Sequence, residues 1–297
     1  MDYVIGVDAG ATKTSACGFS LDGGLLVRHC GGPGNFVEDP TGAERNLLGA
    51  VKRCLEDLGN GCRLVAAGAA GMRSSGLSEE IRKKLERAAN CQAKVMDDGM
   101  LALYANLGQR EGILVIAGTG SVVYGRSKRG QVSTGGWGYL LDDRGSGAAI
   151  AIHCLKYMVR SCDEGCLVSL MGRDILKELG CGDIWQLPRA VSHADKTRIA
   201  ALAPIVAEHA AKGDENARGI LTQAGGELAD MACQAAGRLG LAAPLTGVSG
   251  SVFEKNPLVV QAFWKRMKAC LPGAVPCPTY ERAEKGALWF YQEIKHT

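Results

Sequence analysis

Two short bends rich in glycine and threonine carry groups that could bind phosphate. The first follows an apolar run ending at Asp8 and consists of Gly10, Ala11, Thr12 and Lys13. Small residues let a ligand approach the chain, so backbone N–H groups here can point at phosphate oxygens, and the Thr12, Lys13 and Thr14 side chains add donors. The second bend is Gly118, Thr119 and Gly120. The first stretch fits neither the Walker pattern nor G-x-G-x-x-G, so it predicts a different type of phosphate loop.

Carboxylates at the ends of apolar runs could supply the rest of a phosphoryl-transfer site. Asp8 could hold Mg²⁺ directly or through water. Transfer to an alcohol also needs a base that orients the hydroxyl and accepts its proton. Asp97 and Asp98 end the apolar run KVM, where α/β proteins usually bind ligands. Because Asp98 directly precedes the helical run GMLALYANLG, it could instead cap that helix.

The segment GGWGYLLDDRGSG combines groups that suit a sugar. An indole face such as that of Trp137 can stack on a sugar ring, and the carboxylates of Asp142 and Asp143 can accept sugar hydroxyls. The alternative is a core tryptophan beside a helix cap. Asn35, in GGPGNFVED, could be either a turn residue or a ligand contact.

The order of predicted elements positions these residues. Val4–Asp8, Ser15–Ser20 and Leu25–His29 show strand patterns, and residues 41–58 have helical spacing. The same order of strand, bend, strand, turn and strand returns over 112–136. This loose internal repeat predicts an α/β fold with mixed sheets, in two related domains that face each other across a cleft. Residues 204–240 form one long helical stretch in this interpretation.

Bulk composition limits the classes of function. The chain has 297 residues, of which 46% are hydrophobic and 22% charged, and a net charge of +3, so we expect neither a nucleic-acid nor a membrane partner. No apolar run is long enough to span a bilayer and no secretion signal is apparent, which favours a cytoplasmic location. The twelve cysteines lack C-x-x-C spacing, so we expect free thiols and no zinc site.

Six segments, taken together and in this order, resemble a known family. They resemble the N-acetylglucosamine kinase branch of the BadF/BadG/BcrA/BcrD ATPases, within the sugar-kinase, heat-shock-protein and actin superfamily. The likeness runs from residue 4 to about residue 290. The segments are GVDAGATKT, MDDGMLAL, IAGTGS, GGWGYLLDDRGSG, AAKGDENARGILTQAGGELA and GVSGSVFEKNPLV.

The resemblance implies an architecture and a reaction. It implies two RNase-H-like domains of the actin-like ATPase type, with mixed sheets flanked by helices. We expect the first over residues 1–111, with the helix at 282–297 returning to it, and the second over 112–281. It also implies a homodimer that uses ATP and Mg²⁺ to phosphorylate a primary hydroxyl, O6, of an amino sugar.

The resemblance also implies roles for individual residues. The catalytic aspartate corresponds to Asp98, with Asp97 as the alternate because it takes a place usual for Asn or Thr. The phosphate motifs correspond to Asp8–Thr14 and Gly118–Ser121. The implied adenosine contacts are Gly225, Gly247, Gly250 and Ser251. The implied sugar contacts are Asn35, Ala70, Gly136, Trp137, Gly138 and Asp143.

Several alternatives stay open at this level. The chain departs from the family pattern at Asp142 and Arg144, so Arg144 could pair with a neighbouring aspartate, which we favour, or meet a substrate carboxylate such as a lactyl group. The sugar could be N-acetylglucosamine, N-acetylmuramic acid or glucosamine. Other functions would be an ATPase that activates a 2-hydroxyacyl-CoA dehydratase or benzoyl-CoA reductase through an iron–sulfur cluster, or a non-catalytic sugar sensor.

Overall fold

The computed structural model describes residues 1–278 and 281–295, in two compact units. Unit 1 comprises Met1–Leu114 with Cys277–Thr297, and unit 2 comprises Val115–Pro276. The elements up to residue 107 are β1 (Tyr3–Ala9), β2 (Thr14–Ser20), β3 (Leu25–Gly31), α1 (Pro40–Leu58), β4 (Cys62–Ala69), α2 (Met72–Ser75), α3 (Ser78–Ala89), β5 (Gln92–Met96) and α4 (Asp98–Leu107). The next are β6 (Gly112–Ala117), β7 (Ser121–Ser127), β8 (Gly130–Gly135), α5 (Gly147–Asp163), α6 (Leu170–Leu179), α7 (Leu187–Ser192), α8 (Lys196–Ala200), α9 (Ala203–Ala211) and α10 (Glu215–Leu239). The last are β9 (Leu245–Ser249), α11 (Ser251–Lys255), α12 (Pro257–Cys270), β10 (Val275–Cys277) and α13 (Gly286–Lys295).

The sheet of unit 1 has the strand order β3-β2-β1-β4-β5. The strand β1 pairs antiparallel with β2 and parallel with β4, and β4 pairs parallel with β5. Helices cover both faces of β1, so its apolar residues are buried and it shows a nearly continuous hydrophobic run. Because β1, β4 and β5 are parallel, their carboxyl ends meet at one edge, where residues 10–13, Ala70 and Asp97 follow them.

The C-terminal segment packs against the strands and helices of unit 1. The helix α13 contacts α4, β4 and β1. The ring centroids of Tyr104 and Phe290 lie 3.9 Å apart. A three-residue 3₁₀ turn, Ala283–Lys285, precedes α13 and lies against β1. A Cβ placed at Gly6 would lie 1.8 Å from the carbonyl oxygen of Glu284, so only glycine permits this close approach.

The sheet of unit 2 has the strand order β10-β9-β6-β7-β8. The strands β7 and β8 form an antiparallel hairpin in which Val122 pairs with Gly135 and Ser127 with Gly130. The long helix α10 packs on this hairpin and on α12. Together with β1–β3, this arrangement confirms the predicted repeat of strand, bend, strand, turn and strand.

The helical stretch expected over residues 204–240 is interrupted in the structure. The single helix expected over 204–240 is divided into α9 and α10, because Gly213 has a φ of 95° and Asp214 caps the new helix through the N–H groups of Asn216 and Ala217.

All twelve cysteines are free thiols, as expected. Within residues 1–278 and 281–295, no helix has the length and apolar character needed to cross a bilayer.

Candidate active site

The first phosphate bend connects β1 to β2 in unit 1. The N–H of Gly10 donates to the carbonyl oxygen of Lys13 at 2.9 Å, which closes the bend and leaves residues 11–13 exposed. Thr14 is the first residue of β2 and is fully buried. Its hydroxyl is therefore not one of the exposed donors that the sequence suggested, and the accessible donors belong to residues 11–13.

Backbone hydrogen bonds bring two further segments beside this bend. The N–H of Gly34 donates to the carbonyl oxygen of Gly10 at 2.9 Å, and Ala70 accepts from Phe36 at 2.9 Å and donates to Ala9 at 2.8 Å. Asn35 and Ala70, both implied as sugar contacts, thus lie next to the phosphate bend. Asn35 Oδ1 accepts from the N–H of Val37 at 3.0 Å, so the turn role considered for Asn35 is present.

The two adjacent aspartates have different surroundings. Asp97 occupies the N-cap position of α4, but its Oδ1 accepts from the N–H of Arg73 at 3.0 Å rather than from α4. Asp98 is the first residue of α4 and accepts from the N–H of Gly99 at 2.8 Å. The alternative in which Asp98 is the N-cap is therefore wrong, because Asp97 takes that position, and neither carboxylate makes a side-chain cap to α4 beyond the Asp98–Gly99 bond.

Carboxylates converge on Asp8. Burial, and then the negative charges of Asp98 and Glu284, raise the pKa of Asp8 to about 7, and Lys13 offsets part of this effect. Burial also raises the pKa of Asp98, with a smaller contribution from Asp97, against the opposing hydrogen bond from Gly99. Like charges in a half-buried position favour the protonated form of each acid, which is typical of functional sites.

Glu284 is the member of this acid cluster that the sequence did not indicate. It is buried, with 4% of its surface exposed, and the thiol of Cys17 donates to its Oε1 at 3.7 Å. It lies in a 3₁₀ turn near the C-terminus, and no local motif connects it with a strand almost the whole chain away.

The surroundings of Asp8 fit a divalent cation that arrives with a phosphate ligand. Mg²⁺ is usually held by one or two carboxylates, with substrate phosphates and water completing its shell. Asp8 would hold the ion, and its charge would relieve the repulsion from Asp98 and Glu284. Among the residues that the structure describes, no group of three or more His, Cys, Asp and Glu side chains could form an all-protein metal site.

The second phosphate bend lies in unit 2 between β6 and β7. The N–H of Gly118 donates to Gly120 at 2.9 Å, and its carbonyl oxygen accepts from the N–H of Gly147 at 2.8 Å, at the start of α5. Ser121 donates through its hydroxyl to the carbonyl oxygen of Arg144 at 2.7 Å. These bonds tie the bend to the segment that follows the Gly-Trp-Gly loop.

A cavity of about 450 Å³ adjoins this bend. Gly118 and Thr119 line one part and Ser251 another, with Lys255 and Asn256 beside it. A Cβ at Gly250 would lie 2.3 Å from the carbonyl oxygen of Ala117, so the 250–251 turn also lies close to the bend. The cavity therefore brings predicted phosphate-binding and adenosine-binding residues together.

Two other implied adenosine contacts, Gly247 and Gly225, do not line this cavity. Gly247 lies within β9. Gly225 is buried in the contact between α10 and α12, where a Cβ would lie 2.5 Å from the carbonyl oxygen of Val259. Gly225 therefore lies in a helix–helix contact and is not among the residues that line the cavity.

The Gly-Trp-Gly loop is an exposed turn. Gly136 and Gly138 have φ values of 76° and 89°, and Trp137 is 73% exposed. The alternative of a core tryptophan is therefore wrong. Arg144 Nε lies 2.8 Å from Asp142 Oδ1, so the favoured internal ion pair is confirmed.

Asp143, implied as a sugar contact, is 2% exposed and has a φ of 57°. Its Oδ2 lies 2.7 Å from Nζ of Lys196, and its Oδ1 accepts from the N–H of Ser121 at 3.4 Å. Asp143 therefore lies beside the second phosphate bend. The sequence did not indicate Lys196, because no pattern links it to a residue 53 positions earlier.

A larger cavity of about 1170 Å³ lies among α5, α7 and α10 of unit 2. Its walls are mostly apolar and include Ile152, Val159, Leu187 and Ile220. None of the predicted site residues lines it, so we do not assign the chemistry to this cavity.

Solved structures share this fold. A protein from Chromobacterium violaceum, proposed to be an N-acetylglucosamine kinase, matches with a TM-score of 0.75 and 24% identity, over 98% of this chain and 99% of that one. A ROK family glucokinase from Streptomyces griseus, solved with glucose and AMPPNP, matches with a TM-score of 0.56 and 18% identity, over 99% and 100% of the two chains. These matches confirm the predicted two-sheet fold of the actin-like ATPase type.

Sequence comparisons identify the family. An N-acetylmuramic acid/N-acetylglucosamine kinase from Clostridium acetobutylicum is 34% identical over 241 residues, which is 77% of each chain. An N-acetyl-D-glucosamine kinase from Dictyostelium discoideum is 28% identical over 284 residues, 86% of this chain and 88% of the relative. The model of one family matches residues 5–280. The chain therefore belongs to the BadF/BadG/BcrA/BcrD ATPase family.

Proposed function

We propose that this protein is an ATP-dependent kinase that phosphorylates a primary hydroxyl, O6, of an amino sugar. The predicted class, an ATP-dependent sugar kinase, is borne out by both curated relatives, which are named as kinases of N-acetylglucosamine or N-acetylmuramic acid. The observation that carries the proposal is the closeness of Asp98 to Asp8 beside the exposed phosphate bend: Asp8 lies opposite Gly68 of β4, and a Cβ at Gly68 would lie 2.9 Å from Cα of Asp98.

Asp98 is the base in this proposal. It accepts the proton of the sugar hydroxyl as that oxygen attacks the γ-phosphorus and the bond to the β,γ-bridging oxygen breaks. A carboxylate whose pKa is raised by burial is a stronger base than an exposed one, provided that it is ionised at the working pH. Asp97 stays the alternate, and its Oδ1 accepts from the N–H of Arg73.

Charge on the phosphate groups is neutralised by several groups. Within unit 1 the donors are the backbone N–H groups of residues 11–13 and the Lys13 side chain; within unit 2 they are the N–H groups of the Gly118–Gly120 bend. Mg²⁺, when bound at Asp8, supplies Lewis-acid stabilisation of the phosphate oxygens. The adenosine occupies the cavity that Ser251 and Gly118 line.

The ion pair of Arg144 bears on the choice of sugar. Since Asp142 holds the guanidinium group, Arg144 is not committed to a substrate carboxylate. We therefore place N-acetylglucosamine first, before N-acetylmuramic acid with its lactyl group and before glucosamine. A homodimer and a cytoplasmic location stay predictions, which light scattering and cell fractionation can test.

A coupled assay of ADP release over these three sugars tests the proposal, with ³¹P NMR to locate the new phosphate. We expect sugar-dependent ADP release and a phosphomonoester at O6. ADP release that does not depend on any of the sugars would contradict the proposal. Together with iron in the purified protein, it would favour the reductase-activating alternative.

A further inference from the structure

Lys196 and Asp143 form an ion pair against the second phosphate bend. Nζ of Lys196 lies 2.7 Å from Oδ2 of Asp143, and the other oxygen of this carboxylate accepts from the N–H of Ser121. Asp143 is almost completely buried, whereas 35% of the Lys196 side chain is exposed. The pair therefore has a fixed anionic end inside unit 2 and a cationic end that reaches solvent.

The ammonium group lies directly at Gly120. A Cβ at this position would lie less than 3 Å from Lys196 Nζ, and 3.0 Å from Asp143 Oδ2. The absence of a side chain at Gly120 thus leaves the space that the ammonium group fills. The next residue, Thr197, lines the 450 Å³ cavity together with Gly118 and Thr119.

The partly exposed ammonium group at the bend leaves donors that a phosphate group could accept from. A lysine ammonium has three N–H donors, so contact with Asp143 leaves donors for an anion. The predicted adenosine contact Ser251 lies on the same cavity as Gly118, whereas Gly120 and Lys196 are not among its lining residues. Because Thr197 lines this cavity and Lys196 Nζ lies at Gly120, phosphates that follow the bend from Gly118 to Gly120 would meet the ammonium group.

We propose that Lys196 binds a phosphate beyond the α-phosphate of the nucleotide, and that Asp143 is a positioning residue that holds the ammonium group at Gly120. This inference rests on the proposed ATP-dependent function. It gives Asp143 a role different from the sugar contact that the family resemblance implies. Charge-assisted hydrogen bonds between an ammonium group and phosphate are among the strongest that side chains make.

Calorimetry on the full chain tests the inference by measuring its affinity for ATP, ADP and AMP. Since Lys196→Met alone leaves a buried carboxylate unpaired, the double variant Lys196→Met/Asp143→Asn removes both charges and protects the fold. We expect both variants to bind ATP and ADP about 10–100-fold more weakly than the unaltered protein, and AMP within about threefold. Lys196→Arg should retain most of the affinity because it keeps the cation.

Lys212→Met is the matched control, because this variant loses the same charge from an exposed ion pair with Glu208 at the C-terminal end of α9. It should leave the affinity for all three nucleotides unchanged. Asp143→Asn separates the two roles of Asp143. A positioning residue weakens ADP binding and leaves the KM for sugar unchanged, whereas a sugar contact does the reverse.

The inference would be overturned if both lysine variants bound ATP and ADP with affinities within about threefold of the unaltered protein. It would also be overturned if their affinity for AMP fell by as much as their affinity for ATP and ADP. Failure of the unaltered protein to bind ATP is a different result, because it would contradict the proposed function itself. An Asp143→Asn variant with a raised sugar KM and normal ADP affinity would overturn the role given to Asp143.

Discussion

The buried carboxylate of Asp8 lowers the stability of the folded chain. A strand end that buries a carboxylate beside Asp98 and Glu284 stabilises its protonated form, so the pKa is about 7 rather than 3.8. Between these values the folded chain holds a proton that the unfolded chain has lost. Stability therefore falls as pH rises from about 4 to about 7, and the full cost remains above pH 7.

Asp8→Asn should remove this cost when nucleotide and Mg²⁺ are absent. We expect the variant to be more stable than the unaltered protein at pH 8 by about 1–3 kcal/mol, discounted for partial exposure of the carboxyl group, and equally stable near pH 4. Urea unfolding at the two pH values measures the difference. A stability difference that does not change with pH would show that the pKa of Asp8 is not raised in the folded chain.

At the scale of elements, two adjacent glycines of α10 test how closely α10 and α12 pack. A Cβ at Gly225 would lie 2.5 Å from the backbone oxygen of Val259, whereas a Cβ at Gly226 would have no described atom within 4 Å apart from its chain neighbours and the backbone of its own helix. Gly225→Ala should therefore destabilise the fold by about 1–3 kcal/mol, because α12 must move. Gly226→Ala should stabilise it by about 0.5–1 kcal/mol, because alanine is the better helix former.

Chemical denaturation of the two variants measures these opposite signs in one helix. Each variant serves as the control of the other, since both add one methyl group at neighbouring positions. Equal effects at the two positions would contradict the close approach of α10 and α12. Gly225→Ala should also leave the affinity for AMP unchanged if packing, and not adenosine binding, is the reason for a glycine there.

The sequence predicted those features of the molecule that depend on residues close together in the chain. The hairpin that carries Gly10–Lys13 and its counterpart at Gly118–Gly120 were predicted, because alternating apolar runs and small-residue bends are local signals. The ion pair of Arg144 was also accessible, since its partner is two residues away.

The parts that could not be predicted depend on residues far apart in the chain. Glu284 reaches Asp8 because α13 returns to β1, and Lys196 reaches Asp143 because α8 packs on α5. No periodicity in either segment specifies such a meeting. The resemblance to a family suggested a role for Asp143 but did not indicate its lysine partner or its burial.

Asp98 is the proposed base of this ATP-dependent sugar kinase. The most direct test compares kcat for N-acetylglucosamine phosphorylation, and the Kd for ATP, in Asp98→Asn, Asp97→Asn and the unaltered protein. A positioned base contributes about 10²–10⁴-fold, so Asp98→Asn should lower kcat by this factor and change the Kd for ATP by less than about threefold. Asp97→Asn should lower kcat by less than about tenfold. Turnover of Asp98→Asn close to that of the unaltered protein would contradict the claim, and a large loss in Asp97→Asn instead would assign the base to Asp97.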